Sequence, residues 1–127
     1  MSAPEGCVVI VNDNTDLLNL FKTALEGEKI KTYAFTDPTL ALKKIRSNPN
    51  LISIVLIDYS SQIRKSQRKF AHEAKAINGQ IKVVLTSGYI LRAEDVLKDG
   101  YDKFLQVPVR LADLVFTVKE ILNPELN

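Results

Sequence analysis

Hydrophobic positions along this chain alternate between two spacings. Short apolar runs of strand length, CVVIV at 7–11, KIKTYAF at 29–35, ISIVLIDY at 52–59, IKVVLTS at 81–87 and KFLQV at 103–107, are separated by longer segments with helical apolar spacing. The pattern predicts five strand–helix units. In the first helix Leu17, Leu18, Phe21 and Leu25 share a face, with Asn14 or Thr15 as the cap. Asp37 and Pro38 give the second helix an N-cap and a proline at its first position, and Leu40, Leu42 and Ile45 supply much of its apolar content. A third helix is expected around Lys69–Ile77 and a short fourth near Arg92–Lys98, ending at Gly100. LADLVFTVKEIL forms the fifth, stopped by Asn123 and Pro124. The third and fourth runs are too continuously apolar for a half-wet sheet, so helices must cover both faces of a mostly parallel α/β sheet with right-handed crossovers. The second run alternates more and reads as an edge strand.

Composition narrows this picture without naming a partner. The 127 residues are one domain's worth of chain, with a core expected over about 6–122 and no room for an output domain. With 46% hydrophobic and 25% charged residues the chain can bury a core unaided. Seventeen basic and 15 acidic side chains leave a net charge of +2, too balanced to make nucleic acid or a membrane the main partner. The lone Cys7 forms no internal disulfide and suits a reducing, cytoplasmic setting, where it reads as a small buried apolar residue. No apolar run reaches membrane-spanning length, and the first residues lack the pattern of a secretory signal.

Chemistry in an open doubly wound sheet collects at the carboxyl ends of the strands, where strand order reverses. The polar residues there are Asn12, Asp13 and Asn14 after the first strand, Asp58 after the third, and Thr86 and Ser87 after the fourth; Val107 and Pro108 follow the fifth. No glycine-rich phosphate loop follows the first strand, which removes the dinucleotide fingerprint and the P-loop. Each residue also has a plainer reading. A single aspartate often caps a loop, Asn12 and Asn14 suit turns, Thr-Ser-Gly at 86–88 is turn-forming, and Phe104 is by default core. Ser60, Ser61 and Ser66 are ordinary loop serines, and His72 belongs on an exposed helix face. Arg64, Lys65, Arg68 and Lys69, at i,i+4 spacing, form a solvated basic face if that stretch is helical.

The order and spacing of VIVNDNTDLLNLF, IVLIDYS, VVLTSG and KFLQVP resemble a response-regulator receiver domain across essentially the whole chain. The resemblance implies a flavodoxin-like, doubly wound (βα)5 fold with strand order 2-1-3-4-5, helices 1 and 5 on one face and 2, 3 and 4 on the other. It implies that Asp58 accepts a phosphoryl group from a sensor histidine kinase or phosphotransfer protein, and that the domain then acts on a separate output protein without being a turnover enzyme. Asp13, Asp58 and the backbone carbonyl of Ser60 correspond to ligands of Mg2+, Thr86 to the hydroxyl that contacts the phosphoryl group, and Phe104 to the aromatic that reports phosphorylation. A hard divalent cation suits this chemistry, because phosphoryl transfer needs mainly alignment and charge stabilisation. The family commonly has a cis bond before the proline of the fifth strand, which makes Val107–Pro108 a candidate.

The sequence departs from the family pattern at three places. Asn12 stands where the first paired acid belongs, which weakens the cation site, and Gln62 replaces a loop proline. Val107 stands where the family has a lysine, and Lys103, four residues back, is about 13 Å away along the strand. Losing an acid and a lysine together leaves the formal pocket charge unchanged but alters its geometry. Two alternatives stay open. One is a phosphorylation-independent interaction module of the same fold, a monomer or weak homodimer pairing through Leu111, Leu114, Val115 and Val118. The other is a flavodoxin-like cofactor binder stacking through Tyr59 and Tyr89, although it lacks both a phosphate cradle and a tryptophan.

Overall fold

A computed structural model of the chain describes residues 6–59, 64–88 and 92–123. Five strand–helix units follow in order: β1 (Cys7–Val11), α1 (Thr15–Gly27), β2 (Lys31–Phe35), α2 (Pro38–Ser47), β3 (Ile52–Tyr59), α3 (Arg64–Ile77), β4 (Lys82–Ser87), α4 (Ala93–Lys98), β5 (Lys103–Gln106) and α5 (Leu111–Leu122). All strand pairings are parallel and the sheet order is β2-β1-β3-β4-β5, with the alternating second run at the edge, as its pattern predicted.

Two apolar layers hold the sheet. On one face Leu18, Phe21 and Leu25 of α1 and Leu114 and Val118 of α5 pack over Val8, Ile10, Ile54, Leu56 and Val84. On the other, Ala41, Leu42 and Ile45 of α2, Phe70, Ala71 and Ala74 of α3 and Val96 of α4 cover Val9, Val11, Val55, Ile57 and Leu85. The central strands are thus apolar on both sides because each residue parity meets a helix layer. No helix among the described residues is long and apolar enough to cross a membrane.

The helix ends follow local chemistry. Asn14 Oδ1 accepts from the backbone N–H groups of Asp16 and Leu17 at 3.0 and 3.1 Å, and so caps α1. Asp37 Oδ1 accepts from Thr39 N–H at 2.8 Å, and Pro38 opens α2. Gly100, at φ +91, ends the α4 unit; a Cβ there would also lie 3.0 Å from the His72 ring, whose Nε2 sits 3.3 Å from Lys98 O. His72 is on the exposed side of α3, as expected.

Four sequence expectations are corrected. Helix α3 begins at Arg64 rather than near Lys69, because Arg, Lys and Gln are good helix formers even before an apolar face appears at Phe70. The basic residues at 64, 65, 68 and 69 therefore ride on a helix, and Lys69 is exposed. Strand β2 begins at Lys31 rather than Lys29, because Lys29 takes the left-handed conformation, φ 62, that turns the chain after α1. In α2 the core residues are Ala41, Leu42 and Ile45, while Leu40 is 50% exposed. In α5 Leu114 and Val118 are completely buried against the sheet, so they cannot form a dimer face. The loop positions Ser60, Ser61, Gln62 and Tyr89, together with Pro124, lie outside the described residues, as do the side chains of Tyr59 and Ser66.

Candidate functional site

Strands β1, β3 and β4 run parallel and adjacent, so their carboxyl ends emerge together at one edge of the sheet. The in-register pairs Val11 with Ile57 and Asp58 with Thr86 bring the residues after β1 beside Asp58. Asn12 is buried, 1% exposed; its N–H donates to Phe35 O at 3.1 Å, and its Oδ1 accepts from Asn14 N–H at 2.9 Å. Asn12 thus closes the turn and Asn14 caps the helix. Asp13, between these two turn-forming amides, is half-buried, and its charge acts on Asp58.

Asp58 is half-buried at the end of a strand whose preceding residues are fully covered. Thr86 Oγ1 donates to Asp58 Oδ1 at 3.0 Å. Thr86 lies within β4 and is itself buried, so its hydroxyl belongs to the carboxylate rather than to a turn. Burial holds the Asp58 carboxyl above its ordinary value; the Thr86 hydrogen bond works against that shift, and the neighbouring Asp13 charge adds to it. A half-buried carboxylate with a second one acting on it fits a hard divalent cation, whose charge offsets both desolvation and mutual repulsion. Among the described residues no three His, Cys, Asp or Glu side chains form a metal-binding group.

The fifth strand contributes something different. Val107 N–H donates to Ser87 O at 2.8 Å, the Val107–Pro108 bond is cis, and Val107 Cγ2 lies 3.7 Å from where a Cβ on Gly88 would stand. Val107 lines a groove of about 500 Å³ with Leu17, Leu20, Pro108, Val109 and Leu111. Where the resemblance implies a lysine, the surface is therefore apolar. Lys103 provides no substitute: its Nζ pairs with Glu120 Oε1 on α5 at 3.2 Å. Phe104, opposite Leu85 in the ladder, is half-buried and packs against the α2–α3–α4 layer.

The structure thus brings Asp13, Asp58 and Thr86 together, buries Asn12 beside them, and sets Phe104 on β5 with Val107 just after it. Sequence reading passed over Leu20, whose exposure and place in the groove follow from its offset from the buried stripe Leu18–Phe21–Leu25. That offset was present in the spacing.

No protein-family model matches the sequence, and no curated protein matches it. Solved structures do. A response regulator from Thermotoga maritima superposes with a TM-score of 0.82 at 20% identity, over 94% of this chain and 98% of that one. A CheY-like receiver domain protein from Methanospirillum hungatei JF-1 gives 0.81 at 23% identity, over 95% and 96% of the two chains. A two-component response regulator from Clostridium difficile gives 0.81 at 20%, over 97% of this chain and all of that one. With the sheet order and helix layering described above, these likenesses establish that the chain has the response-regulator receiver fold over nearly its whole length.

Proposed function

We propose that this chain is a signalling module in which Asp58 accepts a phosphoryl group from the phosphohistidine of a sensor kinase or phosphotransfer protein. The modified domain then changes its affinity for a separate output protein. The observation that carries this reading is the 3.0 Å hydrogen bond from Thr86 Oγ1 to Asp58 Oδ1, made at adjacent strand ends where Asp13 also acts on the carboxylate. In the transfer a carboxylate oxygen of Asp58 bonds to phosphorus as the phosphorus–nitrogen bond breaks, and that bond's electron pair leaves with the imidazole. Asp13, Asp58 and the Ser60 carbonyl are the proposed holders of Mg2+, which when bound supplies charge stabilisation for the transferring group. Thr86 then turns its hydroxyl from the carboxylate to a phosphoryl oxygen, and Phe104, on the next strand, responds to that movement. The domain relays a group and does not turn over a substrate.

The test is to add Mg2+ and beryllium fluoride to the protein and record amide spectra, with Asp58→Asn as control. Shifts spreading from Asp13 and Thr86 to Phe104 in wild type alone support the reading. No Mg2+-dependent change would sink it.

A second reading, a receiver-fold interaction module that works without phosphorylation, is favoured by two observations. Asn12 uses its side-chain oxygen to accept from Asn14 N–H, and Val107 presents an apolar surface in the groove it lines with Leu17 and Leu20. On that reading partner binding is the same for wild type and Asp58→Asn.

A further inference from the structure

Below the Val107 groove, the surface between α1 and α5 continues as a second trough of about 480 Å³. Its α1 wall carries Ala24, Gly27 and Glu28, and its α5 wall Ala112, Phe116 and Lys119. Phe116 is 59% exposed, on the side of α5 turned away from the Leu114–Val118 core stripe. We propose that this trough is a self-association surface: two copies of the chain pair about a two-fold axis, each seating Phe116 in the trough of the other.

Three features select a second copy as the occupant. The first is that knob and hole lie on the same face. A two-fold interface uses one patch twice, so a patch carrying both an exposed aromatic and a trough is complementary to itself. The second is charge. Glu28 and Lys119 stand on opposite walls and pair within one chain at 2.6 Å. A two-fold that lays α1 of one copy against α5 of the other sets each acid beside the partner's base, so the rim of the contact is attractive in both halves.

The third feature is Gly27. A glycine near a helix end usually supplies the left-handed residue after the helix, but here Lys29 takes that conformation and Gly27 is helical. A Cβ on Gly27 would meet nothing within 4 Å. Neither backbone geometry nor close packing requires glycine there, and a helical glycine is unfavourable relative to other residues. What its missing side chain does provide is depth in the trough, opposite Phe116. The proposal does not depend on the role of Asp58.

Sedimentation velocity on the full 127-residue chain, from about 1 µM to about 500 µM, tests it. Wild type is expected to show a reversible monomer–dimer equilibrium. Phe116→Ser, at an exposed position, should raise the dimer Kd about 100-fold, tenfold for each ring removed. Gly27→Leu should abolish the dimer while holding or raising the thermal midpoint, because leucine is the better helix former and open space receives its side chain. That combination separates a trough from a glycine with a purely structural role. A wild-type chain that stays monomeric throughout the range overturns the proposal and leaves the trough to a different protein. So does a dimer whose Kd moves less than about threefold in Phe116→Ser, or one that survives Gly27→Leu.

Discussion

Replacing Thr86 with valine keeps the shape of a buried β-branched side chain and deletes one hydroxyl, the donor of the 3.0 Å hydrogen bond to Asp58. A hydrogen bond to a charged group contributes about 1.5–3 kcal/mol net, against about 0.5–1.5 kcal/mol for a neutral pair. Thr86→Val should therefore cost about 1.5–3 kcal/mol while Asp58 is ionised. For a chain of 127 residues the unfolding entropy is about 0.27 kcal/mol/K, so the thermal midpoint should fall by about 6–11 °C. In an Asp58→Asn background the acceptor is neutral, and the same change should cost only about 0.5–1.5 kcal/mol. The difference between the two costs is the coupling energy, about 1–1.5 kcal/mol, and thermal and urea unfolding of the four proteins in this cycle measure it at pH 7.5. An identical cost in both backgrounds would mean that the hydroxyl stabilises β4 independently of the Asp58 charge, and the electrostatic account of the pair would be wrong.

Burial and the Asp13 charge hold the Asp58 pKa above its unfolded value, so its contribution to stability is fully present below the ordinary carboxyl range and is lost as pH rises through the raised folded pKa. Asp58→Asn should accordingly be more stable than wild type at neutral pH, with the gap closing in acid; a gap independent of pH refutes this. Mg2+ titrated at neutral pH should raise the unfolding midpoint of wild type and leave that of Asp58→Asn unchanged, as followed by calorimetry. Val107→Lys places an ammonium at the end of β5 and should extend the beryllium fluoride response towards Phe104 in amide spectra; an unchanged response means that the missing lysine is not what limits the switch. Leu114→Ala, in the completely buried stripe of α5, should cost about 2–5 kcal/mol, whereas Leu40→Ala, half-exposed, should cost less than about 1 kcal/mol by urea unfolding.

Strand count, strand character and most caps were legible because each rests on short-range chemistry. Asn14 and Asp37 are side chains that accept from the first free N–H groups of a helix, and the continuous apolar runs at 54–57 and 83–85 require cover on both faces. The carboxylate–hydroxyl pair followed from those runs, since parallel neighbours deliver their carboxyl ends to the same edge. What periodicity left unresolved was the assignment of faces. Of the four residues Leu111, Leu114, Val115 and Val118 that look like a dimer stripe, Leu114 and Val118 are wholly taken up in covering the sheet, while Leu111 and Val115 are half-buried and line the trough between α1 and α5. The informative residue was the exception, Phe116, apolar yet off the stripe. The start of α3 was hidden for the opposite reason: residues 64–69 hold helix formers without an apolar face, and propensity alone leaves no period to read.

Two of the three departures from the receiver pattern, Asn12 and Val107, act on the site at different levels. Replacing an acid by Asn12 removes a charge but keeps the turn, because the amide oxygen still accepts from Asn14 N–H and α1 still starts where it must to place Asp13. Replacing a lysine by Val107 changes the surface itself, continuing the apolar groove of Leu17 and Leu20 up to the strand end beside Ser87. On the proposed reading, acceptance depends on Asp13, Asp58 and Thr86, all of which are present and close. Transmission depends on a cation that follows the charge on Asp58, and Lys103, the nearest candidate on β5, is paired with Glu120 on α5. On that reading the chain keeps the chemistry of receiving a phosphoryl group and lacks the intrachain contact that would tie β5 to it. On the same reading Thr86, which donates to Asp58 and stands beside Leu105 of β5 in the ladder, carries the state of Asp58 to the neighbouring strand.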